Sequence, residues 1–450
     1  MSQRTHADLL SGLRALLQGG NRALSSQFLN ELDPGELLYL LDQLDDPTFL
    51  LLLQVAGRQQ VADLLAQLDP QDAARHMERL EVSQAADVAE RMDPDDAADV
   101  ISELGREGAA QILAEMEPAE SLEVRQLLTY PPQSAGGLMT PEFVSVKAHW
   151  TVGETIRYLR TQAKEAEMIY YIYVTDRDAQ LRGVVSLRDL ILANDDDRLA
   201  DIMNADILFV RAEDDQEQVA RVIQEEDLLA LPVVDAQHRL VGIVTVDDVL
   251  DVLEEEYSED ILKFSAIEGE ERPLSPVSYS IRNRLPWLLI NIALSQIGVL
   301  VVTLFQNTLA QVVVLATFMP AISNMGGNVG IQAVSVAIRG IATGEVAFYH
   351  FWRVLHKEIV VGLFNGLVLG ALLGTVAFVW HQSFYLGIVT TLGLWVNVLL
   401  ASLCGGTLPF LLKRLGWDPA MMTGPLLTTI VDVFSFLIFL GLGTLLLPLF

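Results

Sequence analysis

Hydrophobic residues change their spacing along this chain in a way that divides it into three parts. Over residues 11–126 they recur every three or four positions, which is typical of amphipathic helices. Between residues 133 and 252, short β-rich runs alternate with helical segments. From residue 282 to 450, long apolar stretches dominate. The pattern predicts a multidomain chain with an all-α N-terminal domain, an α/β middle part and a polytopic α-helical membrane domain.

The N-terminal part, residues 1–132, contains a repeated phrase of an apolar residue, an acid and a proline. The phrase returns at an interval of 24 residues, after a less regular early copy: Leu32-Asp33-Pro34, then Leu68-Asp69-Pro70, Met92-Asp93-Pro94 and Met116-Glu117-Pro118. The acid can cap a helix whose first turn holds the proline. The repeat therefore predicts stacked short helices in a superhelical domain.

Several carboxylates surround the second regular copy of this phrase. Asp95 and Asp99 lie four residues apart, and hence on one helical face. Capping and the helix dipole account for one or two of the acids. A contact with a divalent cation would account for the others, and both interpretations stay open on this segment alone.

The middle part contains one small α/β module twice. An opening phrase, a β-rich strand and a Gly-x-Val-Ser/Thr-x-x-Asp phrase occur in order at residues 136–141, 169–174 and 183–191. The same features return at residues 203–204, 231–235 and 242–250. This tandem resembles a pair of CBS domains, with limits expected at 133–200 and 201–252. The resemblance implies one compact pair.

The CBS resemblance also implies a nucleotide ligand. In such modules the Ser or Thr hydroxyl and the following acid can contact the ribose of a nucleotide. The corresponding residues here are Ser186 and Asp189. Tyr171 would contact the base, and Arg188 the phosphates. A hydroxyl followed by an acid is also an ordinary helix cap. Binding of ATP to the CBS pair is therefore an additional hypothesis that the residues leave open.

Residues 253–281 join the CBS pair to the membrane part and begin on an acidic helix. Asp248, Asp251, Glu255 and Glu259 fall at steps of three and four residues, so like charges crowd one face. Each such pair disfavours the helix by about 0.2–0.5 kcal/mol. A bound cation would relieve this repulsion, although a charge run is usually a solvated face. We favour a cation, because this helix alone links the acidic domains to the membrane part.

Five apolar stretches of the C-terminal part, residues 282–450, are each long enough to cross a bilayer, which takes roughly 20 residues. They lie at residues 285–305, 309–338, 359–380, 385–412 and 425–449. All seven Lys and Arg residues of this part fall at alternate connections, which the positive-inside rule places in the cytoplasm. Five spans of the cell membrane then leave the N-terminus inside and the C-terminus outside.

Asp432 is the only charged residue between positions 424 and 450. A carboxylate at the bilayer centre costs roughly 2.5 kcal/mol or more, so it usually faces water or a cation. Pro425 is expected to loosen the backbone here, and Thr428 and Thr429 offer hydroxyl oxygens, which suit hard cations such as magnesium. The alternative is a protonated acid hydrogen-bonded to a neighbouring helix.

The second apolar stretch also contains polar groups. Asn328 and Gln332 lie four residues apart, which places two amides on one helical face. Gly327 lets a backbone or an ion approach closely, although glycines also serve tight helix packing. The amides need partners or water at membrane depth, so these residues are candidates for an ion pathway.

Charge separates the two halves of the chain. The first 280 residues hold 22 Lys and Arg against 55 Asp and Glu, a formal charge of −33, whereas the remainder carries +3. Such an excess of carboxylates argues against nucleic-acid binding and favours divalent cations. The single cysteine, Cys404, excludes an intrachain disulfide. No nucleophile–base pair, P-loop or metal-hydrolase spacing is present, so we expect no enzymatic activity.

The order of helical acidic domain, CBS pair, acidic helix and five spans resembles the MgtE family of magnesium channels. The most specific matches are Met-Gly-Gly-Asn-Val-Gly-Ile-Gln at 325–332 and Pro-Leu-Leu-Thr-Thr-Ile-Val-Asp at 425–432. The resemblance implies a homodimer in the lipid bilayer, with a pore lined by the second and fifth spans of both subunits. Paired Asp432 carboxylates would hold a hydrated magnesium ion there.

The resemblance further implies that intracellular magnesium closes the pore by binding to acids of three regions. By position these are Asp95 and Asp99 in the helical domain, Asp215, Glu217, Asp227, Asp248 and Asp251 in the CBS pair, and Glu256, Glu259 and Asp260 in the connecting, or plug, helix. Without the ion, repulsion between the carboxylates would open the assembly. Some family members have asparagine in place of Ile331 and Gly424, which puts secondary pore sites built on those amides in question.

The leading hypothesis is a magnesium-selective channel or uniporter that internal magnesium closes. A transporter of cobalt, nickel or manganese is an alternative, because oxygen-rich sites accept several divalent ions. A membrane-anchored CBS nucleotide sensor is another. Asp432 and Asn328 argue against it, because a simple anchor needs neither.

Overall fold

The computed structural model describes residues 6–20, 22–32, 34–162, 166, 168–265, 267, 271, 273 and 275–449. The chain forms two compact units, Met1–Glu254 and Glu255–Phe450, which we call unit 1 and unit 2. Asp33 of the early repeat copy and part of the connecting segment lie outside the described residues.

Unit 1 begins with short helices. Their bounds are α1 (His6–Gln18), α2 (Arg22–Asn30), α3 (Pro34–Gln43), α4 (Asp46–Ala56), α5 (Arg58–Ala66), α6 (Pro70–Met77), α7 (Val82–Ala89), α8 (Pro94–Glu103), α9 (Arg106–Glu115) and α10 (Pro118–Leu127). Helices α6, α8 and α10 start on the prolines of the repeat, because proline has a helical φ and its missing N–H costs nothing there. Asp69 caps α6 by accepting from Gln71 N at 3.1 Å, whereas Asp93 and Glu117 make no side-chain cap. The predicted helical domain is confirmed.

The middle of unit 1 alternates helices with strands. The elements are α11 (Ala135–Leu138), β1 (Phe143–Lys147), α12 (Val152–Gln162), β2 (Met168–Thr175), β3 (Leu181–Ser186), α13 (Leu187–Leu192), α14 (Leu199–Ile202), β4 (Val210–Arg211), α15 (Gln216–Glu225), β5 (Ala230–Val234) and β6 (Leu240–Thr245). They build two sheets of order β1-β2-β3 and β4-β5-β6. In each sheet the first pair of strands is parallel and the second antiparallel. This repetition confirms two related α/β modules.

The opening phrase of each module belongs to the sheet of the other. The contacts are the bridges Thr140–Ile243 and Asn204–Val184, together with the packing of Met139 on Gly242 and of Met203 on Gly183. Glycine is required at both positions, since a Cβ at Gly242 would lie 2.6 Å from Met139 Sδ. The two modules therefore complete each other and form one pair.

The largest hydrophobic core of unit 1 joins the helical domain to the second α/β module, and two smaller cores lie around the strands. The largest core connects helical-domain leucines such as Leu13 and Leu40 with Leu231 and Val249 of the second module. Helix α16 (Val246–Phe264) begins in this core and continues into unit 2.

Unit 2 contains the apolar helices. They are α17 (Val277–Leu304), α18 (Gln306–Gln311), α19 (Val314–Ala342), α20 (Phe351–His381), α21 (Phe384–Arg414) and α22 (Pro419–Leu445). Among the described residues, four helices are long and apolar enough to cross a membrane, namely α17, α20 with the short turn before it, α21 and α22. Helix α19 has the length, at 29 residues, but its asparagine and glutamine side chains make it less apolar.

The helix limits differ from the predicted apolar stretches. The second stretch, expected at 309–338, divides into α18 and α19, and α19 stays helical through Pro320. Helix α20 begins at Phe351 and therefore includes Glu358, which lay outside the predicted span. Hydropathy marks only the apolar middle of a helix, because polar residues extend it at either end.

Glycines allow α20 to pack closely on α21. Gly362, Gly366, Gly370 and Gly374 recur every fourth residue and are all buried. An added Cβ at Gly370 would lie 2.6 Å from the carbonyl oxygen of Thr391. Close backbone approach of this kind replaces the hydrophobic effect, which gives little driving force between helices in lipid.

We predict that Gly370→Ala destabilises unit 2, because the added methyl group meets a backbone carbonyl that cannot move aside. Overpacking of this kind costs about 1–3 kcal/mol. Gly441→Ala is the control, since an added Cβ there has no neighbour within 4 Å. Thermal unfolding in detergent should show a lower Tm for Gly370→Ala alone. Equal Tm values for the two variants would contradict the packing described for α20 and α21.

Candidate ion pathway and acidic clusters

Asp432 lies on α22 facing Ser323 of α19. The Ser323 hydroxyl donates a hydrogen bond to Asp432 Oδ1, and both side chains are half-buried. The hydroxyl thus satisfies one of the acceptor oxygens of the carboxylate. Ser323 was missed in the sequence analysis, although it lies in the polar phrase of the second apolar stretch and could have been selected there.

Close packing of three helices holds this pair in position. A Cβ at Gly326 of α19 would lie 2.8 Å from Val431 Cγ1 of α22. Asn397 of α21 is 1% exposed, and its Nδ2 donates to the main chain of α19 at 3.0 Å. Asn397 was also missed, although a lone amide in an apolar span is itself a signal of a polar contact.

Asn328 and Gln332 lie exposed on the outer face of α19. An added Cβ at the neighbouring Gly327 would have no atom within 4 Å. Within the described part of the chain, neither amide has a hydrogen-bond partner in the protein. Polar groups at membrane depth need water or a partner.

The threonines beside Asp432 are bonded within their own helix. Thr428 and Thr429 donate to the carbonyl oxygens of Gly424 and Pro425 at 3.0 Å and 2.9 Å. Helix α22 continues through Pro425, so the proline removes one main-chain hydrogen bond but does not interrupt the helix. The hydroxyl oxygens can still accept hydrogen bonds from the water shell of an ion.

The end of α16 lies at the start of α22 within unit 2. Phe264 packs against a small core shared by α19, α21 and α22, and its carbonyl oxygen is 3.3 Å from the position of a Cβ at Gly424. Lys263 Nζ pairs with Glu259 at 2.8 Å and with Asp418 at 3.7 Å. The absent side chain at Gly424 therefore leaves room for the plug helix.

Glu358 is a buried acid of α20 that the sequence analysis did not select. It is 4% exposed, and the Ser402 hydroxyl donates to Oε2 at 2.6 Å while Lys357 Nζ lies 3.1 Å from Oε1. Both carboxylate oxygens have partners. Glu358 thus joins α20 to α21 and does not line the face that carries Asp432.

Asp96 of α8 is a second acid that the sequence analysis did not select. Burial, followed by the charges of Asp93, Asp248 and Asp251, raises the pKa of Asp96 to about 7. Burial also raises the pKa of Asp248 to about 6, although the Thr245 hydroxyl and N–H donate to it. The approach of α8 to α16 creates this cluster, so no local pattern could have distinguished Asp96 from its neighbours.

The predicted ligands of the helical domain and of α15 lie apart from each other. Asp95 is buried and Asp99 is half-buried on α8. Asp215 caps α15 by accepting from Glu217 N at 2.9 Å, and Glu217 pairs with Arg221 at 3.2 Å. Local contacts therefore account for part of the charge at Asp215 and Glu217.

The remaining predicted ligands lie in a loop and on α16. Asp227 is exposed, with a left-handed φ of 52°, and Glu256, Glu259 and Asp260 are half-buried on the part of α16 in unit 2. Among the described residues, no three His, Cys, Asp or Glu side chains are grouped closely enough to hold a metal ion.

The candidate nucleotide residues lie together at the end of β3. Ser186 caps α13, because its Oγ accepts from Asp189 N at 3.1 Å and donates to Asp189 Oδ2 at 2.6 Å. Tyr171 pairs with Ser186 across the sheet, and Arg188 is exposed. The arrangement provides an aromatic ring, a guanidinium, a hydroxyl and a carboxylate for a nucleotide. The helix cap alone is a sufficient reason for the presence of Ser186 and Asp189.

Three family models match the chain. The description "Divalent cation transporter" matches residues 319–442, "MgtE intracellular N domain" matches residues 32–133, and "CBS domain" matches residues 135–196 and 199–255. Together with the polar face of the apolar bundle, these matches define a multi-pass membrane transporter of divalent cations that carries an intracellular domain and a CBS pair.

Similar proteins that carry a name indicate which divalent cation transporters this chain resembles. A magnesium transporter MgtE of Thermus thermophilus is 41% identical over 439 residues, which cover 96% of this chain and 97% of that protein. One from Bacillus subtilis is 38% identical over 330 residues and 73% of each chain. The chain therefore belongs to the MgtE family of magnesium transporters. These proteins transport an ion and catalyse no reaction, as the sequence analysis expected.

Two solved structures resemble the first part of the chain. The soluble part of a magnesium transporter has a TM-score of 0.51 and 34% identity, covering 56% of this chain and 99% of its own. The cytosolic domain of the Mg²⁺ channel MgtE in complex with ATP has a TM-score of 0.50 and 40% identity, covering 54% and 99%.

We predict that the thermal stability of the metal-free protein falls between pH 5.5 and pH 8. The native pKa values of Asp96 and Asp248, about 7 and about 6, lie above the ordinary value of 3.8, so the native state binds more protons over this range. Stability must then decrease as pH rises through those values. Thermal unfolding of the full chain in chelator measures the slope.

Asp96→Asn is the matched variant for that measurement. It removes one of the two titrations without changing the size of the side chain, so its Tm should depend less on pH. An Asp96→Asn protein with the slope of the wild type would show that this cluster does not control stability.

Proposed function

We propose that this protein is a magnesium-selective channel or uniporter of the cytoplasmic membrane, which intracellular magnesium closes. The observation that carries the proposal is the position of Asp432, a half-buried carboxylate of α22 that is bonded to Ser323 of α19 within a bundle of apolar helices. Carboxylate, hydroxyl and amide oxygens suit a hard divalent cation.

The pore would contact the ion mainly through its water shell. Magnesium dehydrates reluctantly and usually keeps several of its waters, so a path lined by Asn328, Gln332, Thr428, Thr429 and Gly327 can bind the hydrated ion. Asp432 would supply the charge. Helices α19 and α22 of two copies of the chain would line the path. The second copy would also cover the polar face of α19.

The proposed topology has five spans, α17, α19, α20, α21 and α22. Helix α19 is less apolar than the other four because it would face water along the pore, not lipid, on one side. The seven Lys and Arg residues would lie on the cytoplasmic side, with the N-terminus inside and the C-terminus outside. The soluble domains, proposed at 1–132, 133–200 and 201–252, would then contact cytoplasmic magnesium.

The proposed gate uses repulsion between carboxylates. The acids of α8, the CBS pair and α16 would bind magnesium ions when the internal concentration is high, and this would stabilise the closed position of the plug helix. Asp96 joins the predicted ligands in this scheme, because it lies with Asp248 and Asp251. At low magnesium the unneutralised charges would separate and release α16.

ATP is a second proposed ligand, at the CBS pair. A cytosolic MgtE domain that is 40% identical to this chain was solved in complex with ATP. Ser186, Asp189, Tyr171 and Arg188 provide suitable groups at the end of β3. Bound ATP would stabilise the CBS pair and could shift the magnesium concentration at which the gate closes.

We predict that Asp432→Asn lowers magnesium flux at least tenfold, since the pore loses the charge that attracts the ion. Glu345→Gln is the control, because this acid is well exposed and only loosely paired with Arg339, at 3.9 Å. Flux into proteoliposomes measures both variants. Competition by cobalt, nickel and manganese tests selectivity. Wild-type flux through Asp432→Asn would refute the pore assignment.

A further prediction concerns the gate. Neutralising Asp248, Asp251 and Glu259 together should leave the channel open at high internal magnesium, because the ion that holds the closed state loses its ligands. Flux measured at low and then high internal magnesium shows closure or its loss. The control neutralises three exposed acids elsewhere in unit 1: Asp178, Asp196 and Glu225. Closure in the first variant would mean that the acidic run is only a solvated face.

A further inference from the structure

Three bases lie where α20 begins and α21 ends, at one end of the bundle in unit 2. Arg353 lies in the first turn of α20, and Lys413 and Arg414 lie in the last turn of α21. All three are exposed. Six aromatic residues lie beside these bases: Phe348, Tyr349, Phe351, Trp352, Phe410 and Trp417. We call the three bases and these six residues the basic–aromatic surface.

A chain of rings holds Arg414 in place. Its guanidinium lies 4.9 Å from the centre of the Phe348 ring. Phe348 stacks on Phe351 with ring centres 5.8 Å apart, and Phe351 meets Phe410 edge-on at 6.2 Å. The arginine is therefore fixed through α20 and α21, while its N–H donors remain available to a ligand.

Most of the other described bases of unit 2 are paired with carboxylates, although Arg282 is exposed and has no such pair within the described residues. Arg284, Arg339 and Lys357 each pair with a nearby carboxylate, at Glu271, Glu345 and Glu358 respectively. In the part of the chain that the structure describes, Arg353, Lys413 and Arg414 have no such partner. The dipole of α21 favours basic residues at its C-terminal end. The N–H groups of these side chains nevertheless have no anionic partner within the described residues.

The exposed rings indicate where this surface lies in the bilayer. Tyr349 is 81% exposed, Trp352 76% and Trp417 52%. Amphipathic rings of this kind concentrate at the level of the lipid headgroups, where one edge is apolar and the other is wet. Unpaired bases beside them then lie at the depth of the lipid phosphates.

We propose that the basic–aromatic surface binds the headgroup of an anionic glycerophospholipid. Arg414 would donate to the phosphate, because a guanidinium matches its geometry with two hydrogen bonds, and Lys413 and Arg353 would add positive charge at the same level of the bundle. Trp352 and Tyr349 would lie against the glycerol and the upper acyl chains. This proposal does not depend on ion transport, since it uses neither α19 nor Asp432.

The test is native mass spectrometry of the full-length protein purified in detergent and titrated with phosphatidylglycerol or phosphatidylcholine. The wild type should bind phosphatidylglycerol at least tenfold more tightly. Arg353→Gln with Arg414→Gln should remove that preference and leave phosphatidylcholine binding unchanged. The matched control, Arg284→Gln with Arg339→Gln, removes the same charge from paired arginines and should keep the preference.

Phe348→Leu provides a test that changes no charge. It removes the ring under Arg414 and should weaken phosphatidylglycerol binding about threefold or more, whereas a purely electrostatic attraction would be unaffected. Wild-type affinity in this variant or in the double arginine variant would overturn the proposal. Equal losses in the matched control would do so as well. Full competition by soluble glycerol 1-phosphate would overturn it in favour of a site for free phosphate.

Discussion

The hydration of one carboxylate constrains the membrane half of this protein. Asp432 cannot be ionised in hydrocarbon without a polar environment, because the cost would exceed what helix packing returns. The structure supplies Ser323 as a hydrogen-bond donor and leaves a face of α19 with amides that need water. The same polar residues that leave α19 outside the set of fully apolar helices would suit it, in the proposed function, to line a path for a hydrated ion.

Close packing is what makes this arrangement precise. Glycines let α20 and α21 approach, and Gly326 lets α19 contact α22 beside Asp432. Asn397 adds a buried hydrogen bond between α21 and α19. In a bilayer, where apolar burial gives little driving force, such contacts determine helix positions. The buried pair of Glu358 and Ser402 serves the same purpose between α20 and α21.

In the acidic part of the chain the constraint is repulsion between many carboxylates, whereas in the membrane part it is the hydration of a single one. Asp96, Asp248 and Asp251 approach each other in unit 1, and burial makes their ionisation costly. A bound divalent cation would offset that cost, so in the proposed gate this cluster would sense the ion, and without the ion its buried charge would weaken the protein. The basic–aromatic surface of unit 2 shows the converse, because its bases lack carboxylate partners within the described residues and favour an anion.

The sequence by itself determined the order of the domains, the repeat of short helices and the paired CBS modules, and it singled out Asp432 as the lone acid of the last apolar stretch. These features depend on local periodicity, on turn residues and on hydropathy, all of which are properties of neighbouring positions. Asn328 and Gln332 were also evident, because amides are rare in apolar stretches. The limits of the spans were less accurate, since polar residues extend the helices.

Only the tertiary structure decided which distant groups meet. The exchange of Met139 and Met203 between the two modules, the bond from Ser323 to Asp432 and the cluster of Asp96 with Asp248 all join residues far apart in the chain. Spacing cannot predict such contacts, because an acid in a run of acids has the same local pattern whether it faces solvent or another domain. Burial and the charge of the partner distinguish the two cases, and both arise when the helices pack.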